Sequence, residues 1–136
     1  MIQYQSFIPT DKAPAAFREM LQISLQNRIP SFLGVVKRHR PDRFLLSHAV
    51  DGFSLALDFR VPHDRRAALR EQTATFNRIT LDAGGRFYFA KDSTLTPDVV
   101  AQFLGQETLA QFQALKNRCD PKEILQSDLY RRCLAP

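Results

Sequence analysis

The residues best placed to do chemistry stand together in Gly84-Gly85-Arg86-Phe87-Tyr88-Phe89-Ala90-Lys91-Asp92-Ser93. The glycine pair ends a preceding helix, Phe87 to Phe89 predicts a strand, and the apolar pattern then breaks at a lysine, an aspartate and a serine. Polar groups at the tip of a buried strand are held rigidly by the core, while the loop beyond them reaches solvent or ligand. The plainer alternative is a strand followed by a helix cap, with Asp92 or Ser93 capping and Lys91 solvated. A second concentration of charge is Lys37, Arg38, His39, Arg40 and Arg43. It reads as a solvated loop, as a contact for a substrate phosphate, or as a nucleic-acid contact. Nucleic acid is disfavoured, because no known binding motif is present and the aromatic residues do not interleave with the basic ones as stacking platforms.

The elements that must position these groups follow from periodicity. Ile2 to Ile8 alternates as a strand, and Pro9 ends it. Thr10 is expected to cap a helix to about Arg28, buried along Ala13, Phe17, Met20, Leu21 and Ser24. Phe32 to Lys37 predicts a second strand, the basic cluster and Pro41 a loop, and Phe44 to Leu46 the start of another strand. Asp51-Gly52 is a turn signal leading into Phe53 to Phe59. There Phe53, Leu55, Leu57 and Phe59 face one way and Ser54, Ala56 and Asp58 the other, so something other than a hydrophobic core should cover the small, polar side. Pro62-His63-Asp64 opens a helix to about Leu81, with Leu69, Thr73, Phe76 and Ile79 or Thr80 inward. After the glycine pair and its strand, Pro97 starts helix, with Val99, Val100, Phe103 and Leu104, then Leu109, Phe112 and Leu115, as stripes, and Asp120-Pro121 stops it. The order strand, helix, strand, strand, helix, strand, then helices predicts an α+β fold. It is an antiparallel sheet with two helices on one face, a ferredoxin-like split βαβ arrangement, followed by a C-terminal helical segment.

At 136 residues and 44% hydrophobic content the chain suits one domain with an ordinary core. No apolar run is long enough to cross a bilayer, and the N-terminus lacks a secretory pattern, so a cytoplasmic location is expected. Cys119 and Cys133 are too few for a disulfide framework and have no partners at metal spacing; both are read as free thiols and no metal is expected. The net charge of +5 could signal an anionic partner, but the basic residues are spread along the chain outside the one cluster.

The chain resembles the C-terminal part of FAD-linked oxidases of the vanillyl-alcohol oxidase type, in the branch of the sugar, aldonolactone and alditol oxidases. The matching pieces are Gln3-Tyr4-Gln5 with Ile8-Pro9, Ser31-Phe32-Leu33 with Val36-Lys37, and Gly52 through Asp58-Phe59. Gly84-Gly85-Arg86 with Tyr88 and Ala90-Lys91-Asp92-Ser93, then Asp120-Pro121 with Ser127-Asp128 and Arg131-Arg132, complete them in the family's order. The resemblance implies that residues 1–83 belong to a substrate-binding cap whose sheet roofs the isoalloxazine ring, and that 84–136 return to the flavin domain. It implies Lys91 as catalytic residue at the substrate face of the flavin, polarising the substrate oxygen or, once neutralised by burial, accepting its proton. Gln5, Lys37, Ser54, Ala56, Asp58 and Tyr88 are implied as substrate-binding, and Lys91 and Ala56 as lying against the cofactor. Ala56 stands where mycobacterial sugar oxidases carry a cysteine, and the segment from Arg38 to Val50 differs from their loop, so the substrate stays open.

The family's N-terminal FAD-binding domain has no counterpart here: only five glycines occur, none in a phosphate-cradling pattern. The FAD site is therefore expected to be incomplete, with an FAD-binding domain or subunit as partner, a sugar or polyol as substrate, and association of copies through the surface left uncovered. Two function classes result. One is the substrate-side part of an FAD-dependent oxidoreductase acting on CH–OH groups. The other is a non-catalytic α+β module that binds anions through Lys37, Arg38, Arg40 and Arg43, or serves as a structural subunit of a split oxidase.

Overall fold

A computed structural model describes residues 1–61 and 63–135. Four strands, β1 (Ile2–Pro9), β2 (Leu33–His39), β3 (Gly52–Phe59) and β4 (Arg86–Phe87), form one antiparallel sheet in the order β2-β3-β1-β4. Helix α1 (Ala13–Gln26) lies between β1 and β2, and α2 (Arg66–Asp82) between β3 and β4. Each helix thus joins two strands that have another strand between them, which is the split βαβ arrangement. The α+β fold expected from the order of elements is the fold observed.

Both helices pack on the side of the sheet bearing Tyr4, Ile8, Leu55, Leu57 and Phe59, where Ala13, Phe17, Met20, Leu69 and Phe76 complete one buried cluster. Tyr4 stands edge-on to Phe76, with ring centroids 5.3 Å apart, and its buried hydroxyl lies 3.0 Å from Thr80 Oγ1. Burial pushes the phenol pKa well up. Thr80, one of the residues expected to face inward in α2, is therefore the means by which Tyr4 is buried with its polar tip satisfied.

Helix α2 stops in a Schellman turn: Gly84 N–H donates to Leu81 O at 2.8 Å and Gly85 N–H to Thr80 O at 2.7 Å, with Gly84 at φ +69°. A Cβ on Gly85 would lie 2.7 Å from Phe7 O, so the glycine lets β4 start against β1.

Several local expectations are corrected. Thr10 does not cap α1; its N–H and hydroxyl both donate to Asp51 O at 3.1 Å, tying the end of β1 to the start of β3. Helix α1 starts three residues later with no side-chain cap, and Leu21 is exposed. Phe44 to Leu46 is not a strand, because Asp42 accepts from Phe44 N–H and Ser47 from Ala49 N–H, and such local turns compete with sheet pairing. The strand expected over Phe87 to Phe89 pairs only at Arg86 and Phe87. A short 3-10 turn at His63–Arg65 precedes α2; the expectation for Pro62 lies outside the described residues. The helix after Pro97 is two, α3 (Pro97–Leu104) and α4 (Gln106–Cys119), separated by Gly105 at φ +81°, and Leu115 is exposed. Thr96, which no reading had singled out, caps α3 through Val99 N–H at 3.4 Å.

Candidate functional site

Directly paired residues of antiparallel strands point to the same side of a sheet, so register sorts the side chains. Gln3, Gln5 and Phe7 of β1 pair with Asp58, Ala56 and Ser54 of β3, which pair in turn with Leu33, Val35 and Lys37 of β2. These three rows form the sheet face opposite the helices. Gln5, Lys37, Ser54, Ala56 and Asp58 are thus brought onto one face. Tyr88 joins them through Phe7, with ring centroids 6.3 Å apart, and Lys91 through its ammonium, which donates to Gln3 Oε1.

The seven residues do not converge on one point. Lys91 stands at the Gln3 end of β1 and Lys37 in the Phe7 row, four residues along, which is about 13 Å of strand. The floor between them is small: half-buried Ala56, flanked by Gln5 and Val35. Ser54 is fully buried although polar. Its hydroxyl receives Gln5 Nε2–H at 3.4 Å and lies 2.9 Å from His39 Nε2, so a hydrogen-bonded chain crosses three strands. Asp58 is buried, with Ser31 Oγ bridging its backbone N–H and C=O at 3.1 and 3.0 Å.

Lys91 is not at a strand tip. It lies in the 3-10 segment Phe89–Thr94, where its own backbone departs from helix at φ −126° and ψ 44°. Neither Asp92 nor Ser93 caps a helix: the Asp92 carboxylate accepts from Arg132 at 2.7 Å. The plainer reading of a solvated Lys91 is also replaced, since the side chain is half-buried against Gln3.

The basic cluster is divided by the sheet. Lys37 to His39 belong to β2 rather than to a loop, and alternation places Arg38 opposite Lys37 and His39. Arg38 lies over the Phe53 ring at 5.5 Å, donates to Gly52 O at 3.1 Å and pairs with Asp51. Arg40 and Arg43 are exposed in the following loop, so the four residues do not form one anion site.

By sequence, His39 is only part of the basic cluster, Gln3 and Phe7 are only strand residues, and His48 has no role. The Phe7 ring lies 4.8 Å from His39 and 4.5 Å from His48, and His48 lies 4.8 Å from Tyr88. Burial, then His48, Lys37 and Arg38, hold the His39 imidazole below its ordinary value. Alternation from Lys37 carries the signal for His39, and alternation from Gln5 that for Gln3. His48 reaches the face by a loop path with no periodic signal.

No family model matches the chain. It is 29% identical over 132 residues to the decaprenylphosphoryl-beta-D-ribose oxidase of Mycolicibacterium smegmatis, a match covering 96% of this chain and 27% of the oxidase. The chain resembles the C-terminal part of that oxidase. It spans about a quarter of its relative's length.

The fit of an oxidase's FAD can be tested on the face itself. Gly84 and Gly85 end α2, Gly105 separates two helices, Gly52 is pressed onto the backbone at Ile8 and Gly34 onto Leu57, so no glycine loop among the described residues cradles a pyrophosphate. The residues of the face are compatible with the ring end: half-buried Ala56 is small and lies between Gln5 and Val35, with Lys91 and Lys37 toward either end.

Proposed function

We propose that this chain is the substrate-side and C-terminal portion of an FAD-dependent oxidoreductase that oxidises the CH–OH group of a sugar, polyol or aldonolactone. The observation that supports the reading is the sheet face opposite the helices along which Gln5, Lys37, Ser54, Ala56 and Asp58 lie, with Tyr88 and Lys91 touching that face through Phe7 and Gln3. Residues 1–83 serve as the cap portion and 84–136 as the segment returning to an FAD-binding domain or subunit, which supplies the pyrophosphate site in a cytoplasmic enzyme. The chain by itself is inactive. When bound, FAD supplies a hydride acceptor at N5. Lys91 Nζ would donate to the substrate oxygen in exchange for Gln3 Oε1 and stabilise the negative charge that builds there as the hydroxyl proton passes to solvent water. Gln5, held by Ser54, and Lys37 at the far end orient a polyhydroxylated substrate along the strands.

The anion-binding alternative is the weaker reading because Arg38 is occupied by Asp51 and Gly52 away from Lys37. Lys91→Ala in the flavin-loaded enzyme should lower turnover by about 10²–10⁴-fold; wild-type turnover in that variant sinks the assignment. The visible spectrum separates the parts: the purified chain should be colourless with added FAD and turn yellow only with its flavin-binding partner. A flavin band on this chain alone contradicts the division.

A further inference from the structure

We propose that Arg132 is a positioning residue for Lys91, an inference that rests on the role given to Lys91 above. The segment carrying the lysine leaves the sheet after only two paired residues of β4. Its own hydrogen bonds are short-range, Lys91 N–H to Tyr88 O at 2.8 Å and Leu95 N–H to Asp92 O at 2.9 Å. Neither a strand ladder nor a regular helix fixes Lys91, whose φ and ψ are those of neither.

Asn77 Nδ2 of α2 holds the far end of the segment at Thr94 O, 2.8 Å away, and the contact next to Lys91 comes from some 40 residues further on in the chain. Arg132 Nη2 donates to Asp92 Oδ2 at 2.7 Å and to Asp92 O at 3.4 Å, and Nη1 donates to Leu95 O at 3.3 Å. One planar guanidinium thereby brackets the residues directly after Lys91, which a lysine, with a single point of charge, cannot reproduce. The neighbouring Cys133 is buried with Sγ 3.6 Å from the same Leu95 carbonyl.

The turn that presents Arg132, Tyr130–Leu134, is itself anchored. Ser127 Oγ accepts from Tyr130 N–H at 3.1 Å, Ala135 N–H closes onto Tyr130 O at 2.8 Å, and the Tyr130 ring packs on Phe112 and under Lys116 of α4. The C-terminal turn therefore sets where Lys91 Nζ stands over the Gln3 end of the face. Arg131, next in sequence, pairs instead with exposed Asp128 and supplies an internal control.

The test compares Arg132→Met with Arg131→Met. In the chain by itself, amide hydrogen exchange at Lys91 and Leu95 should speed up about tenfold or more in Arg132→Met, with α1 and β1 unchanged, and stay as in the wild type in Arg131→Met. In the flavin-loaded enzyme, kcat of Arg132→Met should fall about 10–100-fold with KM nearly unchanged, as displacement of a reacting group predicts. Added guanidinium should restore part of it. Exchange and kcat equal to those of Arg131→Met overturn the proposal. Should Arg132→Met not fold, Asp92→Asn removes the charge pair while leaving the backbone contacts, and the same readouts decide. If Lys91→Ala keeps full turnover while exchange still rises in Arg132→Met, the function assigned to Lys91 fails and the coupling of the turn to the segment stands. If Lys91→Ala is inactive and Arg132→Met is not impaired, the positioning role alone fails.

Discussion

Burial, then His48, Lys37 and Arg38, hold the His39 pKa down, and its Nε2 lies 2.9 Å from Ser54 Oγ in the chain that runs to Gln5. Below the ordinary value of 6.5 an unfolded chain binds the proton more readily than the folded one. Stability from this group is thus fully present above 6.5 and is lost as pH falls toward the folded-state pKa. An NMR titration should show the His39 ring protonating below 6.5, and Ser54→Ala should change its Nε2 resonance. A midpoint at or above 6.5 contradicts the burial of the ring beside those charges. At the same scale, the Ser54, Ala56 and Asp58 side of β3 was legible because period two needs only the local chain, whereas Gln5, Lys37, Tyr88 and Lys91 were named as site residues through the resemblance. His48 was not, because loop residues carry no period.

Among the elements, the α2 stop and its strand are the most demanding junction. Gly85→Ala would place a methyl 2.7 Å from Phe7 O and 2.8 Å from Thr80 O, both backbone atoms that cannot rotate away. The expected loss is about 1–3 kcal/mol, as for other overpacked sites, read as a lower urea midpoint with unchanged slope. Gly84→Ala meets open space and costs only the strain of its φ of +69°, about 1–2 kcal/mol. An unchanged urea midpoint in Gly85→Ala would refute the close-approach argument. The glycine pair was readable as a helix end, yet the strand after it was overread, since Phe89 turns toward Phe103 of α3 instead of continuing along β1. Its apolar character is the same in either place.

For the whole molecule, Asp120 ties the end of α4 to the chain that follows it. Asp120 pairs with Lys116 and accepts from the N–H groups of Ile124 and Leu125 at 2.9 and 2.8 Å. The Lys116 contact first, then the two amides, hold its pKa below the ordinary 3.8. Its stabilising effect is present above that value and disappears as pH falls through the folded-state pKa. Asp120→Asn should flatten the acid limb of the stability curve and speed exchange beyond residue 120, while an unchanged acid limb excludes the fastening role. On the outside, Phe32, Leu33, Val36 and Phe44 are each more than half exposed. Sedimentation should accordingly show copies associating at micromolar concentration, and a strict monomer contradicts that.

What the sequence determined by itself was the order of elements, the α+β class and the two-sidedness of β3, because hydrophobic period and turn chemistry are properties of short stretches. The glycine stop of α2 and the proline start of α3 belong there too. Only tertiary structure decided that Lys91 leans on Gln3 rather than standing at a strand tip, that Arg38 turns away from Lys37 to Asp51, and that Arg132 grips Asp92. Those contacts join residues 13, 40 or 88 positions apart, and their partners are chosen by strand register and helix docking, which no local pattern encodes.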